Sequence, residues 1–187
     1  MFEHVTVLLS FVFAIALTHV LTSTTEIVWA RHRLRFSGLQ AMWMGSAVLS
    51  ILINWIGLAP LASIKKWSPA EIAIQFGAAI VQYYTCSLIS IRPKEHGAVD
   101  MPGFYDRERP SIFSAYSALM IVSIFQSVWD AKNYGMTDAA MFQTIGVVGV
   151  MLAATLIAGW AKPRWPQWMA AIGMLGLQFY FLITFMV

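Results

Sequence analysis

Apolar residues in this chain fall into six long blocks, residues 5–29, 39–59, 70–91, 111–130, 138–160 and 167–187, with the charged residues gathered between them. A helix rises about 1.5 Å per residue, so roughly 20 residues cross a hydrocarbon core of ~30 Å. Each block reaches that length. The pattern predicts an all-α polytopic membrane protein: a six-helix transmembrane bundle with short loops, forming one domain over residues 1–187.

Proline and tryptophan positions agree with those limits. All seven prolines fall between blocks, and Pro69, Pro110 and Pro166 sit where a first-turn proline loses no helical hydrogen bond. Ser68-Pro69-Ala70-Glu71 reads as a capping box opening the third span, and Thr137-Asp138 as the start of the fifth. Trp29, Trp55, Trp129 and Trp160 end spans, Trp165 and Trp168 flank the last, and Trp43 lies one turn inside the second. Indoles prefer the headgroup level, so these read as interfacial anchors.

Composition supports the same class. Hydrophobic residues make up 59% of the chain and charged residues 11%, against about 25% charged in soluble domains. The net charge of +3 does not point to nucleic acid, because the basic residues sit in loops and report orientation instead. Nine of the twelve Lys and Arg residues lie in loops one, three and five, which predicts cytoplasmic placement of those loops and both termini outside. Arg31, Arg33 and Arg35 then meet lipid headgroups. The start lacks a basic segment and its apolar run is about twice a signal core, so a retained first helix is expected rather than a secretory signal. The single cysteine, Cys86, excludes an internal disulfide or a CxxC pair.

The chemistry concentrates in the first span. His19, Thr22, Ser23 and Glu26 share one helical face, because they lie at offsets of three, four and seven. Such a face avoids lipid, since an ionisable group in hydrocarbon costs at least a few kcal/mol. The third span repeats polar groups at Glu71, Gln75, Gln82 and Cys86, with Tyr83 beside them, and the fourth at Tyr116, Ser123, Ser127 and Asp130. The expectation is a titratable ion or proton site of His19, Thr22, Ser23 and Glu26, completed by Gln82 or Tyr83 and by Tyr116 or Ser123. Glu26 alternatively pairs with Arg92 or Arg164. Gly146, Gly149 and Ala153 in the fifth span, and Gly173 and Gly176 in the sixth, read as a close-packed seam within or between subunits. The second span reads as a packing helix.

Thr18-His19-x-Leu21-Thr22 with Arg31-x-Arg33-x-Arg35, and the loop Asp100-Met101 through Phe104-Tyr105-Asp106-Arg107, are similar to a family of bacterial six-helix inner-membrane proteins to which no activity is attached. That resemblance implies the six-helix architecture and a bacterial inner membrane, and carries over no site. In the long loop, Met101, Phe104 and Tyr105 are expected at the interface with the charges paired or in water.

No Walker loop, nucleophile elbow, HExxH or dinucleotide fingerprint occurs. His19 and Glu26 alone are too sparse for a metal site, so no metal or cofactor is expected. Three function classes remain. The first is an oligomeric channel or proton-coupled transporter. The second is a non-catalytic scaffold subunit of a larger membrane complex, with the polar faces as helix glue. The third is an intramembrane enzyme or sensor using His19 and Glu26. The expected partners are the lipid bilayer and further copies or subunits.

Overall fold

The computed structural model describes residues 2–59, 61, 67–92, 98–134 and 137–186. Pro60, Lys65, Lys66, Pro93 and Lys94, counted above among the prolines and the loop charges, lie outside the described residues. Six helices account for most of the rest: α1 (Phe2–Trp29), α2 (Gly38–Ile56), α3 (Pro69–Ile89), α4 (Met101–Tyr134), α5 (Asp138–Trp160) and α6 (Arg164–Met186). All six are long and apolar enough to cross a membrane. The protein is an all-α six-helix bundle, as the apolar blocks predict.

Local signals fix several ends. The Ser68 hydroxyl accepts from the Glu71 amide at 3.2 Å while the Glu71 carboxylate accepts from the Ser68 amide at 2.6 Å. With Pro69 at the first position, this satisfies two orphan donors of α3. Ser37 caps α2 through the Gln40 amide. Between α1 and α2 a short 3-10 turn (Arg31–Arg33) leads into β1 (Leu34–Arg35), which pairs in parallel with β2 (Val99–Asp100).

The helices pack as a ring: α1 on α3, α3 on α4, α4 on α5, α5 on α6, α6 on α2, and α2 back on α1, with α2 also touching α3. One end of the bundle, here the arginine end, gathers residues 30–37, 90–92, 98–100 and 161–163. The opposite, terminal end gathers both chain termini.

The interior of the arginine half is filled by aromatic groups. The Trp43 ring lies 4.7 Å from that of Phe113 and 5.4 Å from that of Tyr116, and Tyr105 stands 6.0 Å from Phe113. Edge-on geometry at these distances adds to the burial of large apolar area. Tyr116 donates to the Trp43 carbonyl at 3.0 Å, and Ser117 meets Thr155 at 3.0 Å. Trp43, expected as an interfacial anchor, is fully buried in this layer. Trp29, Trp55, Trp160, Trp165 and Trp168 do lie exposed near helix ends.

Three further expectations are corrected. α4 begins at Met101, so Pro110 lies inside a helix rather than at its start. The lost hydrogen bond and ring clash cost about 3 kcal/mol. Burial of Met101 and Tyr105 offsets it at about 1.5–3 kcal/mol each. Those two side chains are therefore core rather than interface. Arg164 adds a 2.6 Å ion pair to Asp106 and sits 5.7 Å above the Tyr105 ring, which removes it as a partner for Glu26.

The small residues of α5 and α6 do not form the seam inside the chain. Gly146, Ala153, Gly173 and Gly176 are exposed, and a Cβ added at Gly146, Gly149, Gly173 or Gly176 would meet nothing within 4 Å. The close approach is instead at Gly159, where a Cβ would stand 3.0 Å from that of Phe113. The turn between α5 and α6 is tied by its Ala161 carbonyl, which accepts from Arg109 at 3.1 Å and from Gln167 at 2.7 Å.

Candidate functional site

The terminal half of the bundle is hollow. A half-enclosed cavity of about 280 Å³ lies inside the ring, and every one of the six helices contributes to its wall. Its polar side runs down α4 through Asp130, Ser127, Gln126 and Ser123, a length of roughly 10 Å at helical rise. Facing these are Gln75 of α3, Ser50 and Asn54 of α2, and Gln178 of α6. Leu9 and Phe13 of α1, Ile53, Met120, Met151 and Phe181 supply apolar wall.

The hydrogen bonds around it follow helix geometry. Ser123 donates to the Leu119 carbonyl and Ser127 to the Ser123 carbonyl, each at 2.9 Å. Ser50 likewise donates to the Ser46 carbonyl at 2.9 Å. Gln126 donates to Gln75 at 3.0 Å, joining α4 to α3. Gln178 donates to the Ser46 carbonyl at 3.2 Å and to Ser50 Oγ at 2.8 Å. Asn54 donates to Gln82 at 2.8 Å, and Gln82 in turn to Cys86 Sγ at 3.3 Å.

The residues expected to form one site separate into three places. His19 is half-buried and joined to the Tyr83 hydroxyl at 3.2 Å, with the two rings 5.3 Å apart. Ser23 is buried and donates to the Ile91 carbonyl at 2.7 Å. These two contacts fasten α1 to α3, and neither residue lines the cavity. Thr22 is exposed and Glu26 half-buried further along. Gln82 and Tyr116 are fully buried, Gln82 in the bonds to Asn54 and Cys86 and Tyr116 in the aromatic layer. Ser123 alone of the eight lines the cavity.

Sequence reading passed over several cavity residues. Ser46, Ser50 and Asn54 recur every four positions along α2, a stripe as regular as that of α1, and Gln178 is an isolated amide in the apolar α6. Both signals were present in spans read as packing helices. Of the arginines expected at headgroups, Arg31 and Arg33 are exposed, and Arg35 stands 3.6 Å from Asp100 across the strand pair. Among the described residues, no group of three or more His, Cys, Asp and Glu side chains comes together in a way that could hold a metal ion.

Six helices long and apolar enough to span a membrane define a multi-pass membrane protein, and all six enclose a partly open, mostly apolar cavity with a polar stripe on α4. No family model matches the chain, and neither a curated protein nor a solved structure matches it.

Proposed function

We propose that this protein is a membrane transporter that admits a small solute to the centre of the bundle from the terminal end. One observation carries the reading: the cavity is walled by all six helices, its lining running along α4 from Leu119 to Asp130, while the packed rings of Trp43, Phe113 and Tyr116 lie further toward the arginine end. Protein interiors are otherwise packed to the density of organic crystals, so a hollow with a polar stripe inside a small bundle is a feature that a purely structural subunit does not need. The aromatic layer closes the path toward the arginine end. Transport therefore requires that layer to part, as in a carrier or gated channel. Asp130 takes the place expected of His19 as the titratable group in contact with solute. The excess of arginine in loops one, three and five supports an inner-membrane protein with both termini outside, so the cavity faces outward.

Single cysteines test this in a Cys86→Ala background, with a membrane-impermeant maleimide applied to intact cells. Ser123→Cys and Ser127→Cys should react, while Ser117→Cys, buried against Thr155, should not. Failure of both cavity cysteines to react from outside would remove the outward-facing site. The scaffold reading keeps one observation in its favour, the exposed small-residue face of α5 and α6. A sealed cavity together with a stable assembly through that face would establish it.

A further inference from the structure

The hydrogen bonding around the cavity leaves it rich in acceptors. Ser50, Ser123 and Ser127 each spend their one O–H on a carbonyl of their own helix, so their oxygens offer lone pairs to whatever lies inside. Asp130 adds a carboxylate. Gln178 holds α6 to α2 at the cavity wall. Its amide nitrogen is fixed toward α2, because the Ser46 carbonyl can only accept. The other amide atom, Oε1, is buried and has no hydrogen-bond partner among the described residues. Gln178 is 1% exposed and lines the cavity.

Among the described residues, no Lys, Arg or His lines the cavity, and Lys132 is exposed. The remaining wall is formed by the amides of Asn54, Gln75 and Gln126, the Thr144 side chain, and hydrocarbon and aromatic groups including Phe13 and Phe181. An anion would meet a carboxylate and lone pairs with no compensating charge. A bare inorganic cation would lose hydration against an apolar wall. A cavity of about 150 Å³ accommodates benzene, so about 280 Å³ holds one ring with a short side chain.

Resting on the transport reading, we propose that the site takes a small organic cation, a protonated amine with a hydrocarbon body. Its N–H groups donate to Asp130 and the serine oxygens, and its apolar part lies against Phe13 and Phe181. Aromatic faces tolerate a neighbouring cation, unlike an anion.

A size-matched charge series tests the assignment. The full-length protein in nanodiscs is titrated calorimetrically with 2-phenylethylammonium, 2-phenylethanol and 3-phenylpropionate, with empty nanodiscs subtracted. The ammonium should bind at least about tenfold tighter than the alcohol or the anion, the usual worth of a charge-assisted hydrogen bond. Asp130→Asn, which keeps the side-chain volume, should remove that preference. Equal binding of the three probes by the wild-type chain would overturn the proposal without any variant, and so would a preference that survives in Asp130→Asn. Uptake into liposomes separates the two readings. Asp130-dependent amine binding without uptake sustains the cation site and sinks transport, whereas uptake inhibited as well by the alcohol as by the amine sustains transport and sinks the cation site.

Discussion

Along α4, seven of the nine side chains from Ile112 to Met120 are buried, and none of the ten from Ile121 to Asp130 is. The two stretches belong to one helix and differ in what fills the space beside them. Next to the first stand the Trp43 indole and the Gly159 backbone, which let aromatic rings interlock. Next to the second stand short hydroxyls and amides of α2, α3 and α6, which hydrogen-bond at the rim and leave a hollow between them. Cohesion and access are thus assigned to opposite halves of the same ring. Stability variants should separate along that line.

The largest effect is expected from Trp43→Ala. Removing a fully buried indole from contact with Phe113 and Tyr116 should cost about 3–5 kcal/mol, measured by denaturant unfolding in detergent. A loss under about 1 kcal/mol would mean that the arginine half does not hold the bundle together.

Two glycines sharpen the contrast. Gly159→Leu drives a side chain into Phe113 and should cost about 1–3 kcal/mol. Gly149→Leu enters open space and should leave the single chain within about 0.5 kcal/mol. Any loss of self-association by the second variant, seen in light scattering, would assign the outer face of α5 to contacts between copies.

A small effect is also expected at the α1–α3 contact. His19→Phe and Tyr83→Phe remove opposite ends of one hydrogen bond, and a double-mutant cycle should return a coupling of about 0.6 kcal/mol, the average for such bonds inside membranes. Solute uptake should be unchanged by His19→Phe. An uptake loss with normal stability would bring His19 back as a site residue.

The six helices were legible because bilayer-length apolar blocks have few alternative readings. The start of α4 was not. Met101, Tyr105 and Ile112 recur at helical spacing, but Asp106, Arg107, Glu108, Arg109 and Pro110 make the same stretch look like a solvated loop. The site was legible only in fragments. The stripe on α1 does identify a face that avoids lipid, yet periodicity cannot distinguish a face against another helix from one against a cavity. His19 and Ser23 find their partners on or just beyond α3, at Tyr83 and Ile91, which uses up the polarity that suggested a wet site. The cavity depends instead on several short residues from distant helices meeting at one level, and no single span displays that coincidence.

The strand pair at the arginine end bears on how the chain is assembled. Leu34 meets Val99 across 65 positions of sequence, so β1 leaves the ribosome well before its partner exists. Through the synthesis of α2 and α3, the first loop carries an unmatched backbone edge. That edge finds its partner only once the polypeptide has returned to the same side of the bilayer for the second time. The same pairing holds Arg35 3.6 Å from Asp100. It therefore cannot precede the synthesis of α3. It can form only after the first three helices have settled side by side, and it fixes the place from which α4 must start.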